Sequence, residues 1–139
     1  MIGYFGVDFF VVPDGGRERV FLAEINLRVG GTTHPFGMAS LVTDGRYDAA
    51  GGHLVAGGRT KSYMATDNLK SPSLVGCHPQ EIIDRVARLG LAYDHRRRTG
   101  TTMHLLGALR EYGKMGVTCI GDSEEEARQR NREVVAALS

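Results

Sequence analysis

Two apolar runs separated by a tight-turn sequence open the chain, and they constrain its fold more than any other feature. Gly6 to Val12 reads GVDFFVV, β-branched and aromatic residues with one acid inside, a composition that suits the pleated, extended backbone. Pro13-Asp14-Gly15-Gly16 follows; proline, aspartate and paired glycines are the residues that turns require. Arg19 to Leu27, RVFLAEINL, is then the returning strand. The chain therefore begins with an antiparallel β-hairpin.

Glycine placement organises what comes next. The nineteen glycines are about twice ordinary usage, and many fall in pairs between patterned segments, at Gly15-Gly16, Gly30-Gly31, Gly51-Gly52 and Gly57-Gly58. Such grouping marks turns and close backbone approaches, not a flexible linker. After Gly30 to His34, Pro35 opens a short helix through Leu41. The glycine-rich stretch from Asp44 to Gly76 holds a strand or two, one of them over Lys61 to Thr66. Pro79 to Leu89 carries Ile82, Ile83, Val86 and Leu89 at helical spacing, with Gly90 at its end. Thr99 to Leu109 and Met115 to Ile120 read as strands. Ser123 with Glu126 has capping-box spacing, and Ala127, Val134, Val135 and Leu138 form the apolar side of a last helix. The expected class is α+β, with no internal repeat.

Size and charge exclude several roles. One core can form from 139 residues without staples. A net charge of +1 offers no global attraction for nucleic acid or a membrane surface, and no apolar run reaches the roughly 18 residues of a membrane span. A cytoplasmic protein with free thiols at Cys77 and Cys119 is expected. Their spacing with the histidines matches no structural zinc motif.

The acids of the hairpin are the chemical feature. Asp8 and Glu24 lie inside apolar strand runs, and Asn26, two residues beyond Glu24, shares its face. In the obvious register Asp8 joins them. Two carboxylates and an amide oxygen suit a hard cation such as Mg²⁺ (or Mn²⁺), with substrate phosphates completing the shell. Arg28 continues the alternation and can set a guanidinium on phosphate oxygens. Gly30 and Gly31 let backbone N–H groups approach an anion. Acids on the exposed face of a half-buried strand are routine, so E-x-N-x-R also fits a solvated strand.

Gly6-Val7-Asp8-Phe9 with Ala23-Glu24-Ile25-Asn26-Leu27-Arg28 resembles the carboxy-terminal half of the ATP-grasp fold. Members join a carboxylate to an amine through an acyl phosphate. The resemblance implies that Asp8, Glu24 and Asn26 hold Mg²⁺ on the phosphates of ATP and that Arg28 touches the transferring phosphate. Many members have proline where Leu27 stands. Gly30-Gly31-Thr32-Thr33-His34-Pro35, Gly113-Lys114-Met115-Gly116-Val117-Thr118 and Ile120-Gly121-Asp122-Ser123 are similar to the pheganomycin-type peptide ligases, which add a carboxy-terminal domain.

On that resemblance, residues 1–76 are the carboxy-terminal ATP-grasp part and 77–139 a small α/β extension. Gly30, Gly31, Thr32, Thr33 and His34 are the expected substrate-binding residues, although the threonines also suit a helix cap and His34 a local turn. The phosphate-contacting lysines and adenine-binding segment of the family are not found here, and no P-loop or GxGxxG replaces them. The chain is therefore expected to be a piece of a longer ligase, weak or inactive toward ATP alone. Its partners would be the amino-terminal ATP-grasp half, in cis or in trans, and a small-molecule or peptide carboxylate and amine. A homodimer through the uncovered surface is the other expectation. The alternative function is a non-catalytic binding or oligomerisation domain that keeps the ATP-grasp half as scaffold. His104 reads as a core histidine, and Arg96-Arg97-Arg98 as a solvated turn or a meeting point for phosphate or an acidic peptide. Arg59 and Lys61 follow a glycine turn.

Overall fold

The computed structural model describes residues 3–139. Strands β1 (Gly6–Asp14) and β2 (Arg17–Asn26) pair antiparallel, with Asp14 opposite Arg17. The two residues between them, Gly15 and Gly16, have φ of 56° and 86°. Both values are positive, as the two-residue hairpin turn that matches strand twist demands. Stacking of Phe10 on its partner Phe21, ring centroids 5.3 Å apart, reinforces the register. Phe9, Val11, Val20 and Leu22 on one face stay exposed, as do Phe10 and Val12 on the other. A two-stranded ribbon has no second layer to bury such side chains.

The chain forms two compact units, Met1–Phe36 and Gly37–Ser139, and helix α1 (Thr33–Thr43) runs through the division. The second unit is a five-stranded sheet in the order β3-β4-β5-β7-β6, comprising β3 (Arg46–Asp48), β4 (His53–Ala56), β5 (Arg59–Lys70), β6 (Gly100–His104) and β7 (Lys114–Gly121). Every neighbouring pair is antiparallel. The architecture is thus α+β, a hairpin followed by an antiparallel sheet with helices. The compact units do not divide at 76/77, because β5 and β7 pair across that position.

The sheet is covered on both faces, and β7 shows it most directly. Its side chains alternate between faces. Met115, Val117 and Cys119 enter a core with Ile82 and Val86 of α2 (Pro79–Arg88) and Val134 and Leu138 of α4 (Glu124–Leu138). Ile120 joins the opposite core, with Ala39 of α1 and Leu54 of β4. All of these core side chains are at least 95% buried.

Local signals explain the ends of the helices. Pro79 occupies the first turn of α2, and the His78 N–H donates to Glu81 Oε2 at 2.7 Å. The Glu126 N–H donates to Ser123 Oγ at 3.1 Å, half of the expected capping box. The other half is altered: the Glu126 carboxylate accepts from the Asp122 N–H at 2.7 Å instead. The strand expected over Thr99 to Leu109 stops at His104. Leu105 adopts a left-handed backbone (φ 56°), and a 3-10 turn over Leu106–Ala108 leads into the single helical turn α3 (Leu109–Tyr112). A left-handed residue cannot continue a β ladder. Between Asp44 and Gly76 three strands stand where one or two were expected. Cys77 and Cys119 are both free thiols, and among the described residues no helix is long and apolar enough to cross a membrane.

Candidate functional site

The hairpin brings the expected residues together. Asp8 lies directly opposite Glu24, and Gly6 opposite Asn26. Immediately afterwards the register slips, so that Phe9 pairs with Leu22 and Ala23 has no partner. A bulge of this kind re-aims side chains next to it. Here it lies directly beside the acidic pair. Asn26 Nδ2 donates to Asp8 Oδ2 at 3.3 Å, which leaves the Asn26 Oδ1 lone pairs and the other Asp8 oxygen available.

Beyond β2 the chain loops back over the same end of the hairpin. The Gly30 N–H donates to Thr33 Oγ1 at 3.2 Å, and the Thr33 N–H returns a bond to the Gly30 carbonyl at 3.1 Å. Thr33 thus closes the loop as the first residue of α1, its hydroxyl turned back to Gly30. Gly6, Asp8, Glu24, Asn26, Arg28, Gly30, Gly31, Thr32 and Thr33 line one open cavity of about 380 Å³. His34 is exposed in the first turn of α1 and is not part of that lining. The cavity walls carry two carboxylates, one guanidinium, amide and hydroxyl oxygens, and backbone N–H groups. Such a set can hold a hard cation together with an anion. Among the described residues no three His, Cys, Asp or Glu side chains gather as a metal cluster. The donor set at the hairpin is two acids plus an amide, and it needs ligand oxygens to complete a shell.

A second cavity, of about 570 Å³, lies in the second unit, lined in part by Arg59, Lys61, Arg96, Arg97, Arg98 and Arg130. Sequence reasoning read the three arginines chiefly as a solvated turn and did not join them to Asp122 or Arg130. The available signal was Lys61, a cation near the start of a strand: its side chain is only 2% exposed, and Nζ donates to Asp122 Oδ1 at 2.5 Å. Arg59 Nη1 reaches the other Asp122 oxygen at 3.0 Å. The Lys61 bond, with help from Arg59 and against the opposing effect of burial, holds the Asp122 carboxyl below its ordinary range. Burial raises the Glu126 carboxyl, but the Arg130 guanidinium at 2.8 Å and the Asp122 N–H outweigh it, so the net shift is downward. Amide donors of Arg97 and Arg96 lower Asp94 likewise.

Comparison with known proteins agrees with the motifs of the sequence. Residues 81–134 match the family model of the PGM1 C-terminal domain, and the chain resembles the carboxy-terminal part of the pheganomycin-type peptide ligases. Over 137 residues it is 33% identical to an L-propargylglycine--L-glutamate ligase of Streptantibioticus cattleyicolor. That alignment takes in 99% of this chain and 28% of the ligase, so the chain spans little more than a quarter of its curated relative. No solved structure matches the chain.

Proposed function

We propose that this chain is the phosphate-binding side of an ATP-dependent carboxylate–amine ligase of ATP-grasp type. The observation that carries the reading is the single cavity shared by Asp8, Glu24, Asn26 and Arg28 with the Gly30–Thr33 loop. The peptide-ligase relative supports it independently of the geometry. Asp8, Glu24 and the Asn26 amide oxygen would hold Mg²⁺, whose contribution is to neutralise charge on the ATP phosphates. The donor set fits, because hard cations take carboxylate and amide oxygens and accept phosphate oxygens as further ligands.

The residues of the chain do the positioning. Arg28 binds the oxygens of the phosphoryl group as it passes from ATP to the substrate carboxylate, and stabilises the charge that spreads over them. The resulting acyl phosphate is attacked by the amine, forming the C–N bond and releasing phosphate. The backbone N–H of Gly31 holds the anionic end of the substrate, Gly30, whose own N–H is taken by Thr33 Oγ1, lets the backbone approach it closely, and Thr32 contributes a hydroxyl beside them. The exposed apolar residues on both faces of the hairpin support a covering partner surface, which we assign to the nucleotide-clamping half of the ligase. The setting for this chemistry is cytoplasmic.

Titration of the chain with Mn²⁺, followed by paramagnetic broadening of amide resonances, tests the metal assignment. Broadening should centre on Asp8, Glu24 and Asn26, and Glu24→Gln should weaken it by about tenfold, the expected effect of losing a charged ligand. In a ligase-length polypeptide carrying this segment, Glu24→Gln should also abolish ADP release while the circular dichroism stays native. Full turnover by that variant would sink the reading.

A further inference from the structure

We propose that the cavity beside the Arg96–Arg98 turn is a binding site for a small polyanion, a phosphate ester or a polycarboxylate with at least two negative charges. This does not rest on the ligase reading, which concerns the hairpin alone.

Charge is the first reason. Six cationic side chains line the cavity, against two carboxylates, Asp122 and Glu126. Those two acids are already engaged. Asp122 takes both Lys61 and Arg59, and Glu126 takes Arg130 at 2.8 Å. Arg97 reaches only Asp94, at 3.9 Å, with most of its side chain exposed. Among the described residues, no ion pair joins Arg96 or Arg98 to an acid. The cavity therefore keeps an unneutralised positive field.

Construction is the second. The turn that carries the arginines is fixed by its own hydrogen bonds. Asp94 Oδ1 accepts from the N–H groups of Arg96 and Arg97 at 2.7 and 3.2 Å, and the Arg98 N–H donates to the Asp94 carbonyl at 2.7 Å. The Lys61 ammonium, almost wholly buried, donates to the Arg97 carbonyl at 3.2 Å and so ties the turn to β5. Arg98 has a left-handed backbone (φ 55°), unfavourable for a residue with a side chain. Its guanidinium lies against Gly57, where a Cβ would come 3.6 Å from Arg98 Nη1. Folding thus holds like charges around one space at a cost in repulsion and backbone strain. A bound polyanion relieves the repulsion. Guanidinium groups grip phosphate and carboxylate oxygens two at a time, and about 570 Å³ lies within the range of small-molecule sites.

Calorimetric titration of the chain at low ionic strength with pyrophosphate, citrate and acetate, without divalent cations, tests the proposal. Saturable binding of pyrophosphate or citrate is expected, with acetate weaker by about tenfold or more. A preference for pyrophosphate identifies a phosphate ester as the ligand class, and a preference for citrate a polycarboxylate. Arg96→Gln combined with Arg98→Gln should weaken binding by at least about tenfold without lowering the melting temperature, since it removes repulsion. In the unaltered chain, the amide resonances of Gly57 and Thr99 should shift on titration, a readout independent of how the variant folds. Absence of saturable binding overturns the proposal. So do shifts confined to Gly30 and Gly31, which would put the anion at the hairpin loop.

Discussion

Replacing Lys61 by methionine keeps the aliphatic stem inside the sheet and removes only the ammonium. Two bonds go with it, the 2.5 Å contact to Asp122 Oδ1 and the 3.2 Å donation to the Arg97 carbonyl. Removing one partner of a fully buried ion pair costs about 3–5 kcal/mol, because the other charge is left uncompensated. Asp122 escapes that limit. Its side chain is 32% exposed and keeps Arg59 at 3.0 Å, so solvent and the second cation share its charge. What remains is the loss of charge-assisted hydrogen bonds, together about 2 kcal/mol net. With an unfolding entropy near 2.1 cal/mol/K per residue, 139 residues convert this to a melting temperature lower by about 7 °C. The effect has a pH signature. The folded Asp122 carboxyl lies below its unfolded value, so its contribution is fully present above about pH 4 and is lost as pH falls through the folded value. The gap between wild type and Lys61→Met, read by thermal melts, should be widest near neutral pH and shrink in acid as the folded Asp122 carboxylate is protonated. An unchanged melting temperature at neutral pH, or a gap that does not narrow in acid, would refute the account.

Gly100→Ala should destabilise the second unit by about 3 kcal/mol, because a Cβ there would stand 2.4 Å from the Ala92 carbonyl oxygen on a backbone with φ 126°; chemical denaturation measures it. Ser123→Ala removes the hydroxyl that accepts from the Glu126 N–H and should cost about 1 kcal/mol in the same assay. Native chain should react with a thiol reagent at the partly exposed Cys77, whereas Cys119, buried and with its thiol pushed up chiefly by that burial, should react only on unfolding. Stoichiometry before and after denaturant distinguishes the two thiols.

Much of the hairpin site was legible because its determinants are local. The two-glycine turn sets the register of β1 and β2 from Asp14 opposite Arg17 to Phe9 opposite Leu22, and Asn26 shares the face of Glu24 by strand alternation; the bulge between Asp8 and Phe9, which the turn does not encode, is what sets Asp8 opposite Glu24. The helices α2 and α4 were legible for the same reason, their apolar spacing and first-turn residues being contained within each segment. The end of β6 was not. Thr99 to Leu109 has strand composition throughout, yet Leu105 turns left-handed, a choice that composition does not reveal. His34, expected beside the substrate, is exposed in the first turn of α1 and does not line the hairpin cavity.

Strand alternation, turn chemistry and motif identity are carried by neighbours in the chain, so the hairpin, the shared face of Glu24 and Asn26 and the resemblance to peptide ligases could be read without coordinates. The basic cavity exists only in the folded chain. Arg59 and Lys61 lie on β5, Arg96 to Arg98 precede β6, and Asp122 and Arg130 follow β7. Pairing of β5 with β7, and of β7 with β6, closes those separations. The strand-order pairing that gathers these charges depends on burying both faces of β7, a property of the whole sheet that no single segment encodes.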